Sequence, residues 1–543
     1  MTDTSINTFG CLLAHAADTW PDRDAVVFPD DRQSFAQLHD RASLRARQLI
    51  ALGVQPGDHV GILLPTSMEF VEVMFGIALA GAVMVPVNAR YRSNEITYLT
   101  ENADLVTIVT TGQVSDGLNF VDRLYEGLPG VEGAADPLAL DIEVAPKLRN
   151  ILMLGDGNEP GLVPEAHATA AGESVSADDI AARRDGVDGD DIAMILYTSG
   201  TTSNPKGCLI SGDALIQNGR ALAEVYEMTG DDSFWSPLPM FHIAATFPMA
   251  ACFDIGSAYI TMGYFEAGAA LKLLADTKAT ITYPCFITII SDMVNHPSWD
   301  EVDLSHARVM NISPGLQPPA LIEKIEQKMP NCIMVGTFGL SEAAGSVCSH
   351  KLSDPREVRH DRLGGPLPGQ EVRIVDPETG KDCAPLEHGE ILVRGPNVLK
   401  GYYKDPVKTA EAIDPDGWLH TGDTGSLDDN DQIMFHGRIK DMLKVGGENV
   451  AAVEIETLLQ EHNAVKLAQI VSAPHERLVE VPAAYIELED GASATEEELI
   501  AFCKGKISSF KVPRYVRFID DWPMSTSKIQ KYKLRELIAA EIA

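Results

Sequence analysis

The stretch LYTSGTTSNPKG, Leu196 to Gly207, places two glycines, five Ser or Thr residues and one lysine directly behind an apolar run, IAMI. Such a composition suits a phosphate, because small residues let backbone N–H groups approach an anion while hydroxyls and an ammonium add donors. The spacing excludes one solution. A loop of the form G-x-x-x-x-G-K-[ST] needs Gly at 205 and Ser or Thr at 207, where this chain has Pro205 and Gly207. The same residue types also build ordinary turns, so the loop alone leaves both readings open. Four later stretches carry groups of related chemistry. TFGLSEAA (Thr337 to Ala344) sets the carboxylate of Glu342 after a turn of small residues, and GWLHTGD (Gly417 to Asp423) ends in another. GRIKDMLKVGGENV (Gly437 to Val450) mixes cations with a glycine pair, and MSTSKIQKYKLRE (Met524 to Glu536) is rich in lysine.

Elements must hold these groups in place. From Asp24 to about Leu124, short apolar runs such as AVVF, HVGILLP and LVTIVTT alternate with longer amphipathic segments. That alternation predicts an α/β domain with mainly parallel sheets. The apolar run Val73 to Val87 is shorter than the roughly 20 residues of a membrane span and reads as a buried helix passing into a strand. Gly130 to Asp191 reads as surface connection around one strand, NILMLG; alternation then resumes to about Ile374. HGEILVRGPNVLKGYY and DQIMFHGRIKDMLKVGG predict hairpin strands, a β-rich part. From Ala451 the order helix, strand, strand, helix, strand predicts a small α+β unit, with the boundary near Arg438 to Lys440.

Composition sets the class. A chain of 543 residues outgrows a single core, so at least two domains are expected. Hydrophobic residues at 45% and charged residues at 22% are those of a folded protein. The net charge of −36 argues against nucleic acid or an anionic membrane as main partner. One region departs from it: Ala501 to Ala543 holds nine basic and four acidic residues, where either an anionic ligand or a solvated lysine face fits. The eight cysteines lack C-x-x-C pairing or His partners at metal spacing. The opening MTDTSINTFG lacks a basic stretch followed by an apolar core, and a cytoplasmic location is expected.

Taken together, in this order and at these separations, the five stretches closely resemble the signature set of the adenylate-forming superfamily: acyl-CoA synthetases, aryl-CoA ligases, luciferases and peptide-synthetase adenylation domains. The resemblance runs from about Phe9 to Leu537 and is closest to acyl-CoA synthetases. It implies a large N-terminal domain, residues 1–437, that binds ATP and the acid, and a small mobile C-terminal domain, residues 438–543. The implied reaction has two halves. A carboxylate attacks the α-phosphorus of ATP and releases pyrophosphate; a thiol, usually that of coenzyme A, then displaces AMP.

The resemblance also implies roles for individual residues. Thr198, Ser199, Gly200, Thr201, Thr202 and Lys206 would hold the outer phosphates as pyrophosphate departs. Glu342 would hold Mg²⁺, a hard ion suited to oxygen ligands. Thr337, Phe338, Gly339, Leu340 and Ser341 would lie along the nucleotide, with Phe338 stacking on adenine and Gly339 allowing close approach. Asp423 would accept the ribose hydroxyls, with Arg438 supporting the same ribose. Lys528 would bring charge to the adenylation transition state. Here the chain departs from the family pattern, for the usual glycine before this lysine is missing from Thr526-Ser527-Lys528. Lys531 and Lys533 are weaker candidates for that cation. Lys440 matches the hinge position, and Lys444, Gly446 and Gly447 would line the thiol's approach.

His242, in PLPMFHIAAT, resembles the aromatic gate of acyl- and aryl-CoA ligases, although a core histidine would look the same. The flanking HIAATFPMAACF and TYPCFITII offer apolar lining for an acyl or ring group. NISPGLQPP (Asn311 to Pro319) corresponds to an adenine-side segment, is shortened, and receives no ligand contacts. The function implied is an ATP- and Mg²⁺-dependent carboxylate–CoA ligase for an apolar or aromatic acid, a role in fatty acid metabolism, with a homodimer left open. An adenylating enzyme that loads a carrier protein is the alternative, weakened by the lack of a carrier segment after Ala543. A nucleotide-binding protein that has lost its chemistry is a third.

Overall fold

Two sheets with parallel centres organise the first four hundred residues of the chain. The computed structural model describes residues 6–115, 118–198, 205–314, 317, 319–445, 448–475, 477–525 and 528–542, with the backbone alone at Gln113, Ser115, Lys440, Lys444, Glu448, Asn449, Ser525 and Lys528. In the eight-stranded sheet the spatial order is Gly401–Tyr402, Lys206–Ser211, Ile192–Thr198, Val83–Pro86, His59–Leu63, Leu105–Thr110, Asn150–Met153, Val163–Pro164. The first two run antiparallel to their neighbours and the other six are parallel. The seven-stranded sheet, from Ile333–Val335 to Arg32–Ser34, is parallel except at its last pair. Strands covered on both faces must be apolar along their whole length, which is why VMVP at Val83–Pro86 is buried at every position.

Helices Phe9–Thr19, Phe35–Ala51, Met68–Leu79, Gly212–Val225 and Ile243–Ile255 contribute to one apolar core with residues of both sheets. Two smaller sheets form the β-rich part. One joins Thr337–Leu340, Gly345–Ser349 and Gly365–Pro366; the other joins Glu371–Val375, Gly389–Arg394, Leu419–Leu427 and Ile433–Arg438. From Leu443 onward a five-stranded sheet carries helices Ala452–Gln460, Glu496–Cys503 and Lys531–Ile542. Its two apolar clusters contain no residue before Leu443. The fold is the mixed α/β architecture expected, with a large N-terminal and a small C-terminal domain.

The segment from Gly130 to Asp191 is more ordered than its composition suggests. Besides the strand Asn150–Met153 it holds helices Glu165–Gly172 and Ala177–Asp185. The second is started by a capping box in which the Ser176 hydroxyl accepts from the Asp179 N–H and the Asp179 carboxylate accepts from the Ser176 N–H. The first presents Glu165 to a buried charge cluster. That cluster explains Glu72, an acid inside an apolar helix. Arg45, 2% exposed, donates to Glu72 from Nη2 at 2.9 Å and from Nε at 3.2 Å, and also pairs with Glu165. Arg41 and Gln33 supply further donors to Glu72 at 3.1 and 2.8 Å. Gly76 leaves room for the pair, since a Cβ there would stand 2.5 Å from that of Arg45.

Among the described residues, no helix is long and apolar enough to cross a membrane. All eight cysteines are free thiols.

Breaking the buried pair from one side leaves an under-compensated charge. Arg45→Met is expected to destabilise by about 3–5 kcal/mol in urea unfolding, and adding Glu72→Leu is expected to restore much of the loss. A single variant with the wild-type midpoint would contradict this reading.

Candidate active site

The phosphate-type loop hangs between two paired strands. Thr198 stands opposite Lys206 at the last rung between Ile192–Thr198 and Lys206–Ser211. Ser199, Gly200, Thr201 and Thr202 lie outside the described residues. Both stems are tied to the helix Ser93–Asn102: the Tyr197 hydroxyl donates to Asn102 at 2.6 Å, and the Tyr98 hydroxyl donates to the Pro205 carbonyl at 3.1 Å. The stems are therefore fixed from outside the loop. At their base Cys208 is fully buried and hydrogen-bonded to Thr198; burial, then the nearby Glu342 carboxylate, raises its thiol well above the usual range. It is a packing residue rather than a nucleophile.

Glu342 lies in the single 3₁₀ turn Ser341–Ala343, between two strands that pair antiparallel. Ala344 takes φ +49° and Gly345 φ +128° to close the turn, and a Cβ on Gly345 would stand 2.5 Å from the Phe247 ring. The turn is clamped from behind. Buried Asn218 and Asn397 both donate to the Ala343 carbonyl, at 3.1 and 3.0 Å, and the Leu399 N–H donates to the Glu342 carbonyl at 2.8 Å. In front, the Tyr402 hydroxyl donates to Glu342 Oε1 at 3.2 Å, while Lys206 Nζ sits 4.8 Å from the centroid of the same ring. Burial, followed by the Glu342 charge, pushes the Tyr402 phenol well above its ordinary value, so it stays a donor. The structure thus brings Lys206, the cross-strand partner of Thr198, and Glu342 to one tyrosine.

Thr337 to Ser341 run up to this point. The Thr337 hydroxyl donates to the Cys348 carbonyl at 2.8 Å, and the Thr337 N–H donates to Ser313 Oγ at 3.3 Å. His350 accepts the Gly336 N–H at 2.8 Å; burial first, then Arg359, lowers its pKa to about 4, which keeps it neutral. Gly339 owes its identity to its own hairpin as well, for a Cβ would come within 2.3 Å of the Gly345 carbonyl oxygen. Its other side is exposed beside Leu340. Phe338 is buried and lies 6.0 Å from Phe435, ring centre to ring centre, which ties this strand to Ile433–Arg438. On that sheet Asp423 and Arg438 are direct cross-strand partners, with Nε 3.2 Å from Oδ1. Asp423 is 4% exposed, and Arg438 is open to solvent.

His242 is the N-cap of the helix Ile243–Ile255, its ring centre 4.9 Å from that of Phe241 and tilted by 50°. The same helix supplies Phe247 against Gly345, so His242 is carried on an element in contact with the Glu342 hairpin. Gly446 and Gly447 lie outside the described residues. Lys444 is placed by its backbone in the strand Leu443–Val445, Lys440 in the turn Ile439–Asp441, and Lys528 in a two-residue strand facing Ser525. Lys531 is taken: its Nζ lies 2.6 Å from Glu456. Lys511, Arg517 and Arg535 are likewise paired with carboxylates, so much of the basic excess after Ala501 is spent within the fold. Among the described residues, no cluster of three metal-type ligands occurs.

Residues 13–403 match the family of AMP-binding enzymes, and residues 454–528 match the C-terminal domain of AMP-binding enzymes. The chain belongs to this family. The enzyme is 34% identical to a methyl-dioxo-octahydroindenyl-propanoyl:CoA ligase of Rhodococcus jostii (strain RHA1), over 96% of this chain and 97% of that one. It is 32% identical to the mitochondrial medium-chain acyl-CoA ligase of Homo sapiens, over 97% and 87%. The ATP-bound structure of MatB from Rhodopseudomonas palustris superposes with a TM-score of 0.82 at 27% identity, covering 99% and 100%. The enzyme is an ATP-dependent, AMP-forming acid–CoA ligase.

Removing one clamp on the Glu342 turn tests the geometry. Asn397→Ala leaves the Ala343 carbonyl to Asn218 alone and is expected to cost about 1–3 kcal/mol of stability together with a lower rate of pyrophosphate release at fixed MgATP. Wild-type values of both would show that the turn does not need Asn397.

Proposed function

We propose that the enzyme activates a medium-sized apolar or ring-bearing carboxylic acid and passes the acyl group to coenzyme A in two steps run by different residues. The observation that carries this reading is the placement of Lys206 and Glu342 against the same ring, Tyr402, with the Asp423–Arg438 pair joined to the Glu342 hairpin through Phe338 and Phe435. In the first step a carboxylate oxygen of the acid attacks the α-phosphorus, and the bond from that phosphorus to the departing pyrophosphate breaks. Lys206 and the loop hydroxyls stabilise the charge on the leaving phosphates, and Lys528 that on the α-phosphate. Glu342 offers one carboxylate with its second oxygen uncommitted to Tyr402, a fit for Mg²⁺, which takes few protein ligands and completes its shell with phosphates and water. That ion would neutralise phosphate charge.

In this reading Asp423, buried and paired with Arg438, would accept ribose hydroxyls, and Phe338, buried near Phe435, would lie beside the adenine. In the second step the thiol sulfur attacks the acyl carbon and the bond to AMP breaks. The reading gives residues 438–543 as the unit that turns between steps about Lys440, bringing Lys444, Gly446 and Gly447 to the thiol. Separate apolar clusters on the two sides of Leu443 support such a division. The apolar helix led by His242 and the segment Tyr283 to Ile290 support an apolar acyl site, and the names of the relatives support medium-length and fused-ring acids. Mg²⁺ use and a cytoplasmic setting, consistent with eight free thiols, belong to the same reading.

A panel of acids tests the substrate class. Pyrophosphate release and thioester formation are expected with medium-chain and ring-bearing acids, and neither with acetate or free amino acids. Pyrophosphate without thioester would point to a carrier-protein acceptor, and a preference for small charged acids would overturn the apolar assignment.

A further inference from the structure

Lys206 and Glu342 carry opposite charges and share a neighbour, yet no ion pair within 4.0 Å joins them among the described residues. Each is instead in contact with Tyr402. The phenol hydroxyl donates to Glu342 Oε1 at 3.2 Å, and the Lys206 ammonium lies 4.8 Å from the ring centroid. A partly buried lysine and glutamate free to meet would gain both Coulombic energy and a charge-assisted hydrogen bond. An entering triphosphate would have to break that contact. Attraction to a ring face is weaker, at the scale of a cation–π contact, and is more readily exchanged for phosphate oxygens.

Tyr402 itself is held hard. It faces Cys208 in the strand pair that carries Lys206, and its N–H donates to Thr409 Oγ1 at 2.8 Å. Gly401 reaches φ +143°, and a Cβ there would stand 2.9 Å from the Thr409 side chain, so the approach to the tyrosine admits no side chain. The residues just before it clamp the Glu342 turn through Asn397 and the Leu399 N–H. One stretch, Asn397 to Tyr402, therefore fixes the backbone of Glu342, its carboxylate and the resting place of the Lys206 ammonium.

We propose that Tyr402 is a positioning residue that holds Lys206 and Glu342 apart in the nucleotide-free enzyme, keeping both available to ATP. The inference rests on the reading of these two residues as phosphate- and metal-side groups. It carries a specific consequence: the hydroxyl of Tyr402 matters only while Lys206 is present to close on Glu342. Tyr402→Phe keeps the ring and removes the donor, so Glu342 is released toward the ammonium. Tyr402→Leu removes both contacts.

Calorimetric binding of a non-hydrolysable ATP analogue with Mg²⁺, read beside melting temperature, KM for MgATP and kcat, separates the possibilities. Tyr402→Phe is expected to weaken analogue binding roughly tenfold, the scale of one hydrogen bond to a charged group. KM should rise in step, with kcat at saturating MgATP and the melting temperature near wild type. Tyr402→Leu should weaken binding at least as much. In a Lys206→Met background, Tyr402→Phe should produce no further loss, because no cation remains to close on Glu342. Equal losses in both backgrounds, or a fall in kcat with KM unchanged, would overturn the proposal in favour of a packing role. Unchanged analogue binding in Tyr402→Phe would overturn it outright. If Glu342→Gln and Lys206→Met each bind the analogue like wild type, the site reading beneath it fails as well; if they weaken binding and Tyr402→Phe does not, only the proposal fails.

Discussion

The antiparallel pairing of Lys206–Ser211 with Ile192–Thr198 on one side and Gly401–Tyr402 on the other is the constraint on which the site depends. Parallel strands alone would leave the phosphate-loop stem at an open sheet edge. The two antiparallel additions close that edge and carry the loop's lysine to a tyrosine almost two hundred residues away in the chain. Through Tyr402 and Leu399 the same pairing reaches Glu342, and from the Glu342 hairpin Phe338 reaches Phe435 and the strand of Arg438. Lys206, Glu342, Phe338 and Asp423 are thus attached, by hydrogen bonds, ion pairing or ring contacts, to one ladder.

Charge poses the second constraint. A protein with net charge −36 has to receive a triphosphate and coenzyme A, both polyanions. Its surface offers little attraction, so the cations that matter must be local and uncommitted to carboxylates. Lys206 meets this condition by lying over a ring, and Arg438, although paired with Asp423, is nearly half exposed. Elsewhere arginines and lysines are largely consumed by structure: Arg45 inside the N-terminal core, Arg308 on Asp232, Arg517 on Glu496 and Glu541. Local balance, rather than total charge, decides where an anion can bind.

Much of the fold was legible because it depends on local patterns. Short apolar runs marked the strands, and the order of helices and strands after Ala451 matched the small sheet that forms. The loop, Glu342, Asp423 and Arg438 could be singled out because five short stretches together, in their order and separations, resemble one signature set, and their roles are those that the resemblance implies. What escaped depends on pairing across the chain. Tyr402 and Asn397 lay in GPNVLKGYY, expected as hairpin strands; Gly401–Tyr402 instead pairs with Lys206–Ser211, and nothing in the spacing tells that Tyr402 meets the Glu342 carboxylate or Asn397 the Ala343 carbonyl. Asn218 looked like any polar residue in a helix. The helices between Gly130 and Asp191 were hidden by an Ala- and Asp-rich composition, with only the Ser176–Asp179 capping box to betray the second. The basic excess after Ala501 left an anionic ligand and a solvated face both open, because the partners of Lys511, Arg517, Lys531 and Arg535, namely Glu454, Glu496, Glu456 and Asp441, precede it in the chain.

The division of labour between the large and small domains is the central claim, and it predicts that the two chemical steps are separable by one substitution. In the proposed reading Lys528, in a short strand of the small domain and without the family's preceding glycine, is the residue on which that division turns. The direct measurement is the rate of each half-reaction in Lys528→Ala: pyrophosphate release from acid and ATP without coenzyme A, and thioester formation from supplied acyl-adenylate and coenzyme A. Loss of the first with survival of the second is the result expected. Equal slowing of both would contradict it, and would mean that the lysine holds the small domain together and takes no part in adenylation.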